Sequence, residues 1–219
     1  MNTLSTISKW ILASRNAHKR SELTALLPNI EILPLPEDAP EPAETGETFA
    51  ENALIKARSA AEFTGLPALA DDSGLCVTAL GGAPGIYSAR YGSSDFITYA
   101  SQHGWGKNQF EPLPLDATDI DRVQLLLRQM ESVPDGRRSA KFVCAIACVL
   151  PDGQNWVVQG ECDGEITRQP EGNHGFGYDP IFYVSTYRCT FASLAPEIKN
   201  QISHRARALR ELQTMFQGV

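Results

Sequence analysis

The sequence predicts an α/β protein with a mixed β-sheet and flanking helices. Segments with apolar residues at helical spacing alternate with short apolar runs of strand length, which is typical of this class. The tripeptide Pro151-Asp152-Gly153 joins two such runs as a β-hairpin would. A hairpin requires antiparallel neighbours, so the sheet is not predicted to be all parallel.

The first half of the chain alternates regularly. The predicted elements are a strand over 9–14, a helix from Asn16 that ends at 28–29, a Pro- and acid-rich loop over 34–47, a helix from Thr48 that ends at 65–67, an apolar run over 66–69 and a strand over 75–77. Thr48 and Glu51 fit a capping box, which marks the start of the second helix. Between the last two apolar runs, Gly74 is expected to permit a sharp turn.

The second half is more irregular. The predicted elements are a turn-rich stretch over 81–92, an insertion or lid over 93–117, a helix over 121–130, strands over 139–150 and 155–162, a short strand at 166–167, a glycine-rich loop over 172–180, a strand over 181–184 and a closing helix from Ser203. The helices are expected to bury apolar stripes that comprise Leu23, Leu26 and Leu27, then Phe49, Ala53, Ala57 and Ala60, then Val123, Leu126 and Leu127, and finally Leu209, Leu212 and Phe216.

Composition narrows the class of function. With 219 residues, of which 42% are hydrophobic, the chain can bury one substantial core, as one domain or as two lobes around a cleft. A net charge of −7 argues against a nucleic-acid polymer as partner. No apolar run reaches the ~20 residues of a membrane span, and the N-terminus lacks a secretory pattern. The five cysteines are scattered and odd in number, which favours free thiols in the cytoplasm over disulfides or zinc.

The most informative stretch is Ala70-Asp71-Asp72-Ser73-Gly74, directly after an apolar run. Two consecutive carboxylates repel each other unless a cation, a donor or a proton lies between them. The pair therefore indicates a metal and phosphate site, although a turn or a helix cap is an equally good interpretation of the motif alone.

Two further segments could bind phosphate or metal. Ser14, Asn16 and Lys19 follow a strand and enter a helix, whose N-terminal amides favour an anion. The alternative is an ordinary N-cap with solvated basic residues. Glu44 precedes a helix that carries Lys56, and a loop acid together with Asp72 would supply the carboxylates that Mg²⁺ takes from proteins. The alternative is a solvated acidic loop.

Two later segments could recognise a base. Gly175-Phe176-Gly177-Tyr178-Asp179 places aromatic rings and an acid among glycines, so a flat ligand could approach the backbone. A β-bulge with core aromatics would have the same composition. Lys199, His204 and Arg205 surround the start of the last helix, where they could grip a phosphate or a purine carbonyl, or could form a solvated face. Together, these segments indicate a binding site for a metal-bound polyphosphate.

The order of the motifs resembles that of a known family. The motifs are Ser14-x-Asn16-x-x-Lys19-x-x-Glu22, Glu44-Thr45-Gly46-x-Thr48-Phe49-x-Glu51-Asn52-Ala53-x-x-Lys56-Ala57, Ala70–Leu75, Leu80–Tyr91, Gly175–Phe182 and Ile202-Ser203-His204-Arg205. This chain resembles the inosine/xanthosine triphosphate pyrophosphatases, the RdgB/HAM1-like house-cleaning enzymes, in their bacterial form. The resemblance covers almost the whole chain except the first residues and 93–117.

The resemblance implies a fold and an activity. The fold would be an elongated mixed sheet with flanking helices and two lobes around a central substrate cleft, in a cytoplasmic homodimer. The activity would be Mg²⁺-dependent hydrolysis of ITP, dITP and XTP to the monophosphate and pyrophosphate, which prevents misincorporation into DNA and RNA.

The resemblance also implies roles for individual residues. Those assigned to substrate binding are Ser14, Arg15, Asn16, Lys19, Ser73, Arg90, Phe176, Gly177, Tyr178, Asp179, Lys199, His204 and Arg205. Those assigned to catalysis are Asp72 as proton acceptor, Asp71 and Lys56. The Mg²⁺ ligands would be Glu44 and Asp72.

Three features depart from the family pattern. Ser14-Arg15-Asn16 stands where relatives usually carry Thr-Gly-Asn, Ser193 replaces a Glu, and the segment 93–117 is longer. Two other functions stay open from the residues alone. A Maf-like pyrophosphatase would act on other nucleotides, although its signatures are not evident. A non-catalytic nucleotide sensor would not need Glu44, Asp71 and Asp72.

Overall fold

The computed structural model describes residues 7–103 and 112–217. Its strands and helices, in chain order, are β1 (Lys9–Leu12), α1 (Ala17–Leu26), β2 (Glu31–Pro34), α2 (Phe49–Thr64), β3 (Ala68–Val77), α3 (Ser94–Gln102), α4 (Asp119–Gln129), β4 (Ser139–Val149), β5 (Asn155–Ile166), β6 (Phe182–Val184), β7 (Cys189–Thr190), α5 (Pro196–Ile202) and α6 (His204–Gln217). Short 3-10 helices lie over Thr78–Leu80, Gly85–Arg90, Asp179–Ile181 and Phe191–Ser193.

The strands form one seven-stranded sheet in the order β2-β1-β3-β4-β5-β6-β7. Strand β1 pairs in parallel with β2 and β3, whereas β6 pairs antiparallel with β5 and β7. The hairpin after β4 is closed by the amide of Leu150, which donates to the carbonyl of Gln154 at 2.9 Å. The predicted α/β class with a mixed sheet is confirmed.

The chain divides into two compact units. The first comprises the described parts of Met1–Ser73, Val143–Cys162 and Asn200–Val219, and the second comprises those of Gly74–Phe142 and Asp163–Lys199. The long strands β3, β4 and β5 therefore each contribute residues to both units. The central substrate cleft implied by the family resemblance stays a prediction.

The first unit has a core on each face of its strands. Successive strand residues point to opposite faces, so Trp10 and Leu12 pack with α1 and α6, whereas Ile11 and Ala13 pack on the side of α2. The α2 side is rich in small residues, namely Ala53, Ala57, Ala60 and Ala61 from the helix and Ala68, Ala70, Ala145 and Ala147 from the strands. Small side chains on both surfaces let the helix lie close to the sheet.

Helix α2 has the ends that its sequence predicts. The side chain of Thr48 accepts the amide of Glu51, and the carboxylate of Glu51 accepts the amide of Thr48 in return. Gly65 closes the helix in a left-handed conformation with φ of 66°. The rigid helix start fixes the loop before it, which carries Glu44.

The second unit is built around aromatic side chains. The rings of Phe142 and Phe182 lie 4.5 Å apart, and those of Phe182 and Phe191 lie 4.9 Å apart. A second group pairs Tyr91 with Phe96 at 4.6 Å. All five rings are buried.

The predicted turn at Asp71–Gly74 is wrong. Strand β3 continues through these residues from Ala68 to Val77, and Gly74 lacks the positive φ of a turn glycine. Glycine is required there for a different reason: a Cβ on Gly74 would lie 2.3 Å from Oγ of Ser88 and 2.4 Å from the carbonyl oxygen of Gly85. Asp71 and Asp72 are compatible with a buried strand because each pairs with cationic side chains on its own face of the sheet.

Other elements also differ from the prediction. Strand β5 runs to Ile166, so 166–167 is not a separate strand. Helix α4 begins at Asp119, two residues before the predicted start, and α3 occupies part of the segment 93–117 that the sequence indicated to be irregular. Strands β2 and β7 and helix α5 were not predicted. Residues 104–111 of the predicted insertion or lid lie outside the described residues. The predicted burial of Phe216 concerns a side chain that also lies outside them.

Within the described ranges, no helix is long and apolar enough to cross a membrane. All five cysteines are free thiols.

Candidate active site

Two adjacent carboxylates lie in the middle of β3 and are almost completely buried. Asp71 is 1% exposed and Asp72 is 6% exposed. The alternation of the strand sends them to opposite faces: Asp71 meets residues of α1 and α6, and Asp72 meets a residue of α2. Each carboxylate therefore has its own set of cations.

Asp71 is held by two cations and a hydroxyl. Its Oδ2 lies 3.2 Å from Nζ of Lys19 and 3.1 Å from Nη2 of Arg205, and it accepts the hydroxyl of Ser73 at 3.0 Å. Burial by itself would raise the pKa of Asp71, but Lys19 and Arg205 outweigh it and hold the pKa well below its usual range. Asp71 is thus ionised at neutral pH.

Arg205 is an internal cation, only 1% exposed. Its guanidinium donates to Glu22, to Asp71 and, at 3.0 Å, to Oγ of Ser73. These carboxylates raise the pKa of Arg205 further despite its burial. Glu22 occurs in the first family motif but was not among the predicted site residues. The spacing Lys19-x-x-Glu22 puts both side chains on one face of α1 and could have indicated that Glu22 belongs to the same ionic group.

Asp72 belongs to a second ionic group with Lys56 and Glu44. Nζ of Lys56 lies 2.7 Å from Oδ1 of Asp72 and 3.0 Å from Oε1 of Glu44, so the ammonium bridges the two carboxylates. Burial raises the pKa of Asp72, and Lys56 only partly offsets it. Burial would lower the pKa of Lys56, but the attraction of Asp72, Asp71 and Glu44 raises it overall.

The carboxylates fit a divalent cation. Oδ2 of Asp72 is a buried oxygen that makes no hydrogen bond within the part of the chain that the structure describes, and Glu44 shares the ammonium of Lys56 with Asp72. Such oxygens are hard ligands of the kind that Mg²⁺ prefers, and Mg²⁺ takes only one or two protein carboxylates and completes its shell with water and phosphate. Among residues 7–103 and 112–217, no three His, Cys, Asp or Glu side chains form a closed metal cage.

The loop that carries Glu44 is anchored by Asn52, a residue of α2 that occurs in the second family motif but was not among the predicted site residues. Asn52 is fully buried, and its Oδ1 accepts the amide of Gly46 at 2.8 Å. A Cβ on Gly46 would lie 2.8 Å from the same oxygen. Asn52 therefore fixes the distance between Gly46 and the start of α2, and so helps to position Glu44 two residues earlier.

The start of α1 is a capped helix N-terminus, so the structure shows the N-cap that the alternative interpretation describes. Oδ1 of Asn16 caps the helix by accepting the amides of His18 and Lys19, at 2.9 Å and 3.1 Å, and the first turn carries no acid. Oγ of Ser14 accepts the amide of Asn16 at 3.3 Å. Arg15 points elsewhere: its Nη2 donates to the carbonyl of Ala39 at 2.8 Å. Arg15 thus fixes the following loop to β1.

The second unit contains the other predicted group, the loop over 175–179. Oδ2 of Asp179 accepts the amide of Phe176 at 2.9 Å and Nζ of Lys199 at 2.6 Å. Gly175 has φ of +75°, and a Cβ there would come within 2.0 Å of the same oxygen. The ring of Phe176 is half-buried and lies 5.1 Å from Nζ of Lys199. The ammonium of Lys199 therefore contacts both the carboxylate of Asp179 and the ring of Phe176.

Tyr178 serves the core of the second unit. It is buried, and its hydroxyl donates to the carbonyl of Ser88 at 3.0 Å, whereas the ring of Phe176 in the same loop is half-buried. Arg90 stacks its guanidinium on the ring of Tyr87, 4.9 Å from the centroid.

The predicted cationic set near the last helix separates into two pairings. Lys199 pairs with Asp179 and Arg205 pairs with Asp71, while His204 is buried as the first residue of α6. Among the family departures, Ser193 shares a hydrogen bond with Thr190 at 3.0 Å.

A family model described as the Ham1 family matches residues 10–215. The chain belongs to the Ham1 family. The resemblance noted from the motifs is therefore confirmed.

Curated relatives of this Ham1 protein are similar over nearly their full lengths. A protein of Coxiella burnetii named "dITP/XTP pyrophosphatase" is 46% identical over 94% of this chain and 95% of its own. A Symbiobacterium thermophilum protein of the same name is 47% identical over 92% and 91%.

Solved structures of the Ham1 family agree with the fold. A HAM1 protein from Coxiella burnetii has a TM-score of 0.80 at 42% identity and covers 97% of this chain and all of its own. The Staphylococcus aureus Ham1 protein has a TM-score of 0.77 at 36% identity, with 96% and 98% coverage.

Proposed function

We propose that this protein hydrolyses the non-standard purine nucleoside triphosphates dITP, ITP and XTP to the nucleoside monophosphate and pyrophosphate. The observation that carries the proposal is the pair of buried carboxylates in β3, each with its own cations, in a chain whose relatives over nearly its full length bear the name dITP/XTP pyrophosphatase. Removal of such nucleotides would protect DNA and RNA from misincorporation.

The first unit would bind the triphosphate. Ser14, Asn16 and Lys19 would form the anion site at the start of α1, where the positive end of the helix dipole lies and Lys19 adds a positive charge within the first turn. Glu44 and Asp72 would hold Mg²⁺, which when bound neutralises charge on the phosphate oxygens. The bridging Lys56 keeps these two carboxylates together.

Asp72 would orient and deprotonate the water that attacks the α-phosphorus. Lys56 lies on Oδ1 and leaves Oδ2 to face both the cation and the attacking water. The carboxylate would take the proton of that water as the oxygen–phosphorus bond forms and the bond to the bridging oxygen of pyrophosphate breaks. Lys19 and Lys56 stabilise the charge that develops. Asp71 remains ionised between Lys19 and Arg205 and holds these cations in place.

The loop over 175–179 would bind the purine base. The half-buried ring of Phe176 offers a stacking surface. The family resemblance assigns Lys199, His204 and Arg205 to the remaining contacts with the base and the phosphates. Donors aimed at a 6-oxo group would be left unpaired against the 6-amino group of adenine, and such a loss discriminates strongly between substrates.

One assay tests the proposed reaction. The purified protein is incubated with Mg²⁺ and dITP, ITP, XTP, dATP or dGTP, and the products are separated by ion-exchange chromatography. Monophosphate and pyrophosphate are expected from the first three substrates, with far slower turnover of the standard nucleotides. Release of orthophosphate, or equal turnover of dATP, would contradict the proposal.

We also propose that the protein is a cytoplasmic homodimer and that Mg²⁺ is required for turnover, as the family resemblance implies. Light scattering should give twice the mass of one chain. Chelation by EDTA should abolish turnover, and excess Mg²⁺ should restore it.

A further inference from the structure

The loop over 175–179 is held at Phe176 and at Tyr178, the residues on either side of Gly177. Asp179 accepts the amide of Phe176, and the hydroxyl of Tyr178 donates to the carbonyl of Ser88. Gly177 lies between these anchored residues in a left-handed conformation with φ of +59°, and no atom of the described residues lies within 4 Å of where its Cβ would be. Side-chain packing among residues 7–103 and 112–217 therefore does not fix the peptide at Gly177.

A carboxylate from α4 holds this peptide instead. The amide of Gly177 donates to Oδ2 of Asp119 at 2.9 Å, across 58 residues of sequence. The other oxygen of Asp119 accepts Nη1 of Arg122 at 3.3 Å, one turn along the same helix. Asp119 is thus oriented toward the loop by its own helix.

Asp119 is not needed to start α4. Thr118 and Asp121 form a capping box that satisfies the first amides of the helix. The side chain of Asp119, the first helical residue, is consequently available for the loop. The carbonyl of the same peptide, that of Phe176, accepts the amide of Asp179 at 3.2 Å. A hydrogen bond from an amide to a carboxylate is shorter and stronger than one between neutral groups, so the contact with Asp119 is the stronger of these two restraints on the peptide.

We propose that Asp119 is a positioning residue for the purine base. By accepting the amide of Gly177, it fixes the peptide that follows Phe176 and so holds the ring of Phe176 in the orientation that stacks on the base. This inference rests on the proposed function, because it assumes that the loop binds the base of the substrate. Asp119 itself touches neither the base nor the phosphates in this account.

The test separates binding of the base from catalysis. Asp119→Ala should raise KM for dITP about tenfold, the size expected when one hydrogen bond to a charged acceptor is lost, while kcat stays within about twofold because the phosphate machinery is untouched. Asp119→Asn keeps an acceptor oxygen and should restore KM to near the wild-type value. Asp121→Ala is the matched control: it removes the capping box of α4 but leaves the acceptor of Gly177.

Three results would overturn the inference: an unchanged KM in Asp119→Ala, an equal rise of KM in Asp121→Ala, or a loss confined to kcat. If Asp119→Ala does not fold, amide hydrogen exchange of Gly177 in the wild type decides, since slow exchange is expected and exchange at the unprotected rate refutes the contact. The wild-type assay with dITP is run alongside. Absence of wild-type turnover would refute the proposed function, whereas the exchange measurement would still report on Asp119.

Discussion

At the scale of single residues, the two aspartates of β3 have different ionic partners. Asp71 faces Lys19 and Arg205, and Asp72 faces Lys56 and retains one buried oxygen without a hydrogen-bond partner in the described chain. The motif Asp-Asp-Ser-Gly shows that the two residues are adjacent, but only the strand conformation sends them to opposite faces. The proposed difference in role between Asp71 and Asp72 rests on that geometry.

Substitution of Asp72 tests its role as proton acceptor. Asp72→Asn keeps the size of the side chain but removes its basicity, so kcat for dITP should fall at least about 100-fold. Thermal unfolding should show that the fold survives. Asp163→Asn, at an exposed position in β5, serves as the control and should leave turnover unchanged. Retention of wild-type turnover by Asp72→Asn would exclude the role.

Substitution of Asp71 tests its role as a buried counter-ion. Asp71→Asn leaves the buried guanidinium of Arg205 and the ammonium of Lys19 with less negative charge, and loss of one partner of a buried pair lowers the free energy of unfolding by about 3 kcal/mol. Urea denaturation measures this change. The exposed pair of Lys9 and Glu31, 2.9 Å apart, gives the control: Glu31→Gln should cost less than about 1 kcal/mol. Equal effects of the two variants would show that Asp71 is not a structural anion.

The sequence predicted polar residues of the candidate site but not their partners. Local patterns indicate which residues could bind an anion, since Ser14, Asn16 and Lys19 follow a strand and enter a helix. They do not reveal that Arg205 pairs with Asp71 across 134 residues, because that contact depends on how α6 packs. The resemblance assigned Arg205 to the substrate, whereas the structure shows its guanidinium bound to Glu22, Asp71 and Ser73.

At the scale of elements, the ends of helices were predicted well and the extent of strands was not. Thr48, Glu51 and Gly65 mark α2 because capping is a local interaction. Strand β3 was divided in two because Asp71–Gly74 are polar, and only cations from other elements make these residues compatible with a buried strand. The two residues of β7 are too few for any periodic pattern.

The contact between β5 and α6 supplies a prediction about an element. A Cβ on Gly160 would lie 2.3 Å from the amide nitrogen of Ala208 and 2.3 Å from the carbonyl oxygen of His204. Gly160→Ala should therefore push α6 away from the strand and lower the free energy of unfolding by about 1–3 kcal/mol. Gln159→Ala, the exposed neighbour on β5, is the control and should change stability little in the same urea titration. No difference between the two would show that α6 is not closely packed there.

At the scale of the whole molecule, the fold and the activity follow from the set of motifs more than from any one of them. Each motif alone admits an ordinary structural explanation, and the structure confirms part of it, because Asn16 does cap a helix and Tyr178 does belong to a core. The functional interpretation depends on the ionic contacts of Asp71 and Asp72, together with membership of the Ham1 family over residues 10–215.

The central claim is that water attacks the α-phosphorus of a non-standard purine nucleoside triphosphate. Hydrolysis of dITP in water enriched in ¹⁸O, followed by mass spectrometry of both products, tests it most directly. The account predicts one ¹⁸O atom in the phosphate of dIMP and none in pyrophosphate. Label in pyrophosphate, or in orthophosphate, would contradict it.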